Sequence, residues 1–241
     1  MSAIKTGLQA VRGRIATAAQ AVGRDPGDIE LVAVSKTFPA SALVEAVDCG
    51  QRVFGENYAH EGVAKMLAVR DVVASLPQRL AWHFIGPIQS NKTRLIAEHF
   101  DWVQSVDRLT VAQRLSQQRP PHLPELQICI QVNVSGESTK HGVAPEAVAA
   151  LAQEVRALPH VRLRGLMTIP EPATDPERAR EQLRTLRELK ERLEGIVDGL
   201  DTLSMGMSDD LELAIAEGAT MVRIGRAIFG ERAPKSSKTI L

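Results

Sequence analysis

A lysine stands directly after an apolar, β-branched run: Leu31-Val-Ala-Val-Ser35 leads into Lys36. Such a run has the composition of a buried parallel strand, so the lysine stem starts at the mouth of whatever that strand helps to build. Loss of hydration there favours the neutral amine. The neutral amine is the form that attacks an aldehyde to give a Schiff base. Position alone leaves a second reading open, in which Lys36 extends to the rim and pairs with Glu56.

A second group of residues lies near the C-terminus. Ser208 stands before Asp209-Asp-Leu-Glu-Leu-Ala-Ile-Ala216, a helical stretch ending near Gly218, and Arg223-Ile-Gly225-Arg226 opens another. Exposed N–H groups at helix starts, with glycine permitting close approach, make an anion site. Ser208 by itself reads as an ordinary N-cap, and Gly225 as a turn glycine. Together with Lys36 they point to a phosphorylated aldehyde as ligand. Arg223 points into the same region if Val222 and Ile224 pack outward. Its guanidinium stays charged and accepts no proton. Set against a pyridine nitrogen it would keep that nitrogen unprotonated; otherwise it pairs with a rim carboxylate.

The elements that must position these groups alternate along the chain. An opening helix (residues 3–22) precedes strands at 29–35, 52–55, 81–86, 102–105, 126–134, 161–167, 202–205 and 221–224, each pair separated by helical apolar spacing. The clearest helix begins with Asp175 as N-cap and Pro176 in the first turn, and sets Ala179, Leu183, Leu186, Leu189, Leu193 and Ile196 on one face. Eight strands joined by right-handed crossovers close as a doubly wound sheet or as a barrel, and the count favours a single (β/α)8 TIM barrel. Chemistry then sits where strands end and βα loops begin. The other strand ends supply Glu56-Asn57, His83, Asn133-Val-Ser135, Met167-Thr168 and Ser204. The barrel is expected to span residues 1–232, with a loose tail over 233–241. The segment Gly136–Gly142 reads as a flap over the site or as a polar connection.

Composition removes several function classes. Hydrophobic residues make up 44% of 241, and basic and acidic residues number 29 each. A chain with no basic excess is a poor candidate for nucleic acid. Cys49 and Cys129 form neither a disulfide framework nor a metal-ligand spacing. With no signal-like apolar core and no membrane-spanning run, the expectation is a cytoplasmic protein, and with no long apolar surface stripe it is a monomer.

Longer motifs carry a resemblance. Val32-Ala-Val-Ser-Lys-Thr37, Phe54-Gly-Glu-Asn-Tyr58, Trp82-His-Phe-Ile-Gly-Pro87 with Gln89-Ser-Asn-Lys92, and Ser204-Met-Gly-Met-Ser-Asp209 with Val222-Arg-Ile-Gly225 resemble the pyridoxal phosphate homeostasis protein family, in order, from about residue 5 to 232. The resemblance implies the fold-type III barrel of the alanine racemase N-terminal domain, with pyridoxal 5′-phosphate held as an internal aldimine on Lys36. It also implies that Ser208 and the N–H groups of Gly225 and Arg226 hold phosphate, that Arg223 faces the pyridine nitrogen, and that Asn57, His83 and Ser204 line the pocket. One position departs: family members often carry a small hydroxyl residue after the Ile-Gly of the eighth strand, where this chain has Arg226.

The resemblance further implies a carrier and regulator of vitamin B6, with apo pyridoxal enzymes as recipients, rather than a catalyst. Racemisation needs proton-transfer groups on both faces of the substrate carbanion, and alanine racemase takes its opposing tyrosine from an added β-domain for which no room is expected after the eighth strand. The single tyrosine, Tyr58, is expected to pack at a loop base. An amino-acid racemase and a Schiff-base aldolase remain the alternatives.

Overall fold

Eight strands of three to seven residues alternate with helices: α1 (Ala3–Ala21), β1 (Glu30–Val34), α2 (Ala40–Asp48), β2 (Val53–Glu56), α3 (Ala59–Ala74), β3 (Ala81–Phe84), α4 (Thr93–His99), β4 (Trp102–Val106), α5 (Leu109–Gln118), β5 (Leu126–Gln131), α6 (Val148–Arg156), β6 (Val161–Met167), α7 (Pro176–Glu194), β7 (Thr202–Ser204), α8 (Leu211–Ala216), β8 (Met221–Ile224) and α9 (Arg226–Phe229). This computed structural model describes residues 2–231 except 75, 77, 138–140 and 172–174. The expected tail lies outside the described residues, as does the centre of the Gly136–Gly142 segment.

Every strand pairs in parallel with its sequence neighbour, and β8 pairs with β1 to close the barrel. Period-two alternation sorts the strand side chains. In β8, Val222 and Ile224 join the apolar shell between barrel and helices, while Arg223 turns into the barrel at 4% exposure. In β1, Val32 pairs with Arg223 and, with Val34, packs around Gly55 inside the barrel. Lys36, two residues beyond Val34, continues that inner face at the mouth.

Each helix is apolar on the side that meets the strands. In α1, Ile4, Leu8, Val11, Ile15, Ala18 and Ala19 are buried and Ser2 Oγ caps the Lys5 amide at 3.2 Å. In α7, Asp175 Oδ1 accepts from the Glu177 amide at 3.0 Å and Pro176 occupies the first turn. That helix stops at Glu194, one residue before Gly195, so Ile196 falls outside it and is 36% exposed, while Val197 takes the buried place. β5 ends at Gln131 rather than Val134 because the chain beyond it turns to bond the segment after the loop: Asn133 N donates to Val143 O and Val143 N to Gln131 O. Among the described residues no helix is long and apolar enough to cross a membrane.

Candidate functional site

The C-terminal ends of the strands enclose a cavity of about 260 Å³ lined by Val34, Lys36, Asn57, Ile85, Ile169, Met207, Ser208, Asp209, Arg223, Gly225 and Arg226. Six of the eight residues singled out from sequence therefore share one wall-to-wall space, brought there by β1, β2, β8 and the loop after β7. A larger cleft of about 450 Å³ opens at the opposite end beside Arg12, Gln51 and Arg52, away from the end where barrel sites form. The guanidinium groups there are engaged by Cys49 O, Gln51 Oε1, Val47 O and Gln51 O.

His83 and Ser204 lie one layer below the cavity, in a buried chain whose donor directions are fixed. Arg223 Nη1 donates to Ser204 Oγ at 2.6 Å, and Nη2 donates to Thr168 O at 2.6 Å. A serine hydroxyl that accepts from a guanidinium has one proton left to give, and Ser204 gives it to Gln104 Oε1 at 2.6 Å. That orients the amide, whose Nε2 meets His83 Nδ1 at 2.7 Å and Met221 Sδ at 2.9 Å. His83 must then accept at Nδ1 and carry its proton on Nε2, an atom buried without a partner among the described residues. Burial drives the His83 pKa down to about 3 and that of Arg223 to about 10. The imidazole is thus neutral and the guanidinium charged at neutral pH. Trp102 stacks on the imidazole at 5.1 Å with an interplanar angle of 11°. His83 is a buried support for Arg223 and not a rim group.

The carboxylate that sequence offered to Lys36 is engaged elsewhere. Glu56 Oε1 accepts from Ser35 Oγ at 2.6 Å and from Lys65 Nζ at 2.8 Å. Burial raises the Glu56 pKa, against the attraction of Lys65. Immediately after Lys36, Thr37 sits at φ 69°, a conformation that a β-branched residue rarely adopts.

The loop after β7 also differs from expectation. Asp210, not Ser208, is the N-cap residue of α8, and Asp210 Oδ1 accepts from the Met207 amide at 2.6 Å. Ser208 is thereby released from capping and lies along the cavity. Its carbonyl accepts from Arg14 Nη2 at 2.9 Å, and Arg14 also grips Glu212 at 2.7 and 2.8 Å. On the facing loop, Gly225 approaches β1 so closely that a Cβ would lie 3.1 Å from Val34 O. Arg226 is 64% exposed and stands 4.0 Å from Asp209 across the cavity rim. Tyr58 is 52% exposed instead of packed at a loop base.

Sequence reasoning passed over Gln104, Lys65 and Arg14. Lys65 carried a signal, since it lies on the stripe that α3 buries, between Gly62 and Val69. Arg14 stands in α1 between the buried Val11 and Ile15, a charge beside the apolar stripe. Gln104 gave no local sign, because its partners Ser204 and Met221 lie 100 and 117 residues further along.

Fold and site together define a barrel of the alanine racemase N-terminal-domain type, and the model of that domain matches residues 7–233. The chain belongs to the pyridoxal phosphate homeostasis protein family. Over 232 residues it is 60% identical to the family member of Pseudomonas aeruginosa, covering 96% of this chain and 97% of that one. It is 51% identical to that of Escherichia coli K12, covering 96% and 98%. Among solved structures, PipY of Synechococcus elongatus with pyridoxal phosphate bound superposes with a TM-score of 0.81 at 35% identity, over 94% of this chain and 100% of that one. Alanine racemase of Corynebacterium glutamicum shares the fold, with a TM-score of 0.64 at 16% identity over 93% of this chain and 62% of its own.

Proposed function

We propose that this chain holds pyridoxal 5′-phosphate on Lys36 and buffers or delivers it inside the cytoplasm, as a monomer and without turning over a substrate. The observation that carries this reading is the convergence of Lys36, Ser208, Gly225 and Arg226 on one cavity, with a buried cation behind it. When bound, the cofactor supplies an aldehyde carbon that an amine can join with loss of water. The residues fit such a group. Asn57 Oδ1 is a buried acceptor without a partner among the described residues, on the cavity wall. The glycine at 225 lets its loop close on β1 at Val34 while lining the cavity, and the first N–H groups of α9 have no acceptor within the helix.

In this reading Lys36 Nζ is the attachment point, Ser208 Oγ and the amides of Gly225 and Arg226 hold phosphate, and Asn57 positions the ring. Arg223, oriented by Ser204 and Thr168 with Gln104 and His83 beneath, would face the ring nitrogen and deny it a proton. That weakens the ring as an electron sink. The exposed guanidinium of Arg226 adds positive charge at the phosphate end. Holding a reactive aldehyde as a reversible adduct limits its damage and permits its transfer to apo enzymes.

The absence of turnover is supported by the composition of the cavity wall. Racemisation requires a second proton-transfer group facing the lysine. Tyr58 and His83 do not line the cavity, and Asp209, whose side chain is 89% exposed, stands at the rim. The test is borohydride reduction of the protein mixed with pyridoxal 5′-phosphate. A pyridoxyl adduct on Lys36, absent in Lys36→Ala, is expected, together with transfer of cofactor into an apo pyridoxal enzyme despite a competing trap. Sustained α-hydrogen exchange with any amino acid would replace the carrier by a racemase-like enzyme, and an unmodified Lys36 would remove both.

A further inference from the structure

Lys36 is bracketed by a buried charge cluster that the proposed function does not use. Lys65 Nζ donates three hydrogen bonds, to Ser35 O at 2.6 Å, Glu56 Oε1 at 2.8 Å and Glu61 Oε1 at 2.6 Å. The first acceptor is the carbonyl just before Lys36. Glu61 Oε1 also accepts from the amide just after it, that of Thr37, at 2.5 Å. The turn is completed by Phe38 N donating to Ser35 O at 3.1 Å. An ammonium has three protons, and all of them are assigned here.

Two features make this more than a staple between α3 and the barrel. Thr37 holds φ 69°, where its branched Cβ is in conflict with the backbone. Such a conformation persists only where the surroundings over-determine it, and beside the Phe38–Ser35 backbone bond the turn is restrained by the side chains of Glu61 and Lys65. Moreover, the Lys65 side chain is 7% and the Glu56 side chain 0% exposed. Burying that pair costs desolvation that a well-packed apolar pair of similar volume would avoid, so its contribution lies in the geometry it imposes.

We propose that Glu61 and Lys65 are positioning residues for the cofactor lysine: they lock the left-handed turn at Thr37 and so hold Lys36 at the cavity wall. Neither touches the cavity, and Glu56 anchors Lys65 from below. The inference rests on Lys36 being the attachment point.

The test compares the full chain with Glu61→Ala and with the double variant Glu61→Ala, Thr37→Gly. Glu61 is partly exposed, so its replacement leaves the core packed, and thermal melting checks that both variants fold. Two quantities are read: hydrogen exchange of the 35–38 backbone in cofactor-free protein, and the rate at which added pyridoxal 5′-phosphate becomes trappable by borohydride on Lys36. Glu61→Ala should speed exchange at Thr37 and slow attachment, each by about tenfold, the scale of one strained residue released. Glycine adopts φ near 69° without an anchor, so the double variant should regain attachment to within about threefold of the unmodified chain. Attachment at the original rate in Glu61→Ala, or a double variant no better than the single one, overturns the proposal. Failure of the functional reading looks different: Lys36 stays unmodified in the unaltered chain, while exchange at Thr37 still responds to Glu61.

Discussion

The guanidinium of Arg14, on the first helix, donates to the backbone carbonyl of Ser208, on the loop after β7, at 2.9 Å. The extra helix that precedes the barrel therefore reaches the loop that lines the cavity. Its grip is doubled by the bidentate pair with Glu212 in α8, the geometry in which an arginine–carboxylate contact is strongest.

Arg14→Ala should free this loop. The Arg14 and Glu212 side chains are 36% and 52% exposed, so solvent screening keeps the loss of fold stability near 0.5–1 kcal/mol. The larger effect should fall on the ligand, with cofactor affinity lowered by about fivefold, equivalent to ~1 kcal/mol. Equilibrium dialysis of both proteins, beside their melting curves, separates the two quantities. Equal retention of cofactor would show that the loop needs no support from α1.

Ser208→Ala tests the hydroxyl itself. Because Asp210 occupies the capping position, removal of the Ser208 hydroxyl should leave α8 intact and the melting temperature nearly unchanged. Cofactor should be held more weakly by roughly 1–2 kcal/mol, the scale of one hydrogen bond to a charged group. A loss of stability with unchanged affinity would return Ser208 to a structural role.

Much of this was legible in the sequence because the signals were local. Strand β1 shows as an apolar, β-branched run that ends at Lys36, and β8 shows Arg223 between two outward apolar residues. The barrel follows from eight such runs separated by helical stripes. The signals that failed were those that need a second segment. The Asp-Asp pair after Ser208 offers two capping carboxylates, and only the folded loop selects Asp210. Glu56 looked like a partner for Lys36 because both stand at strand ends; Lys65 reaches it first, through a helix face that reads as apolar. The chain from Arg223 to His83 joins four strands through residues far apart in sequence, which no local pattern can announce.

Acid should weaken the fold through His83. The folded protein holds this imidazole neutral down to about pH 3, against an ordinary value of 6.5. Between those limits the unfolded chain binds a proton that the folded one refuses, so stability rises with pH across the window and is lost as pH falls through it. The slope from this residue approaches 1.4 kcal/mol per pH unit at most. His83→Asn retains an acceptor near the Nδ1 position for Gln104 and cannot be protonated. Urea unfolding of both proteins between about pH 7 and 4 should show the variant losing less stability on acidification. Parallel profiles would mean that the folded imidazole takes up its proton after all.

Two glycines should respond in opposite directions to the same added methyl group. At Gly86, after β3, a Cβ would lie 2.2 Å from Asn57 O and 2.7 Å from Asn57 Cα. Both contacts are backbone, so no side chain can rotate away, and Gly86→Ala must displace the segment that brings Asn57 to the cavity. The cost should be about 1–3 kcal/mol of stability or more, with cofactor affinity falling alongside. At Gly13, inside α1 and exposed, nothing lies within 4 Å of the added atom. Alanine there removes the entropy that glycine brings to a helix interior and should stabilise the fold by about 0.5–1 kcal/mol, leaving cofactor binding unchanged. Denaturant titrations and cofactor dialysis on the two variants decide the matter. If Gly86→Ala holds cofactor as firmly as the original chain, the contact between Asn57 and the end of β3 does not shape the site.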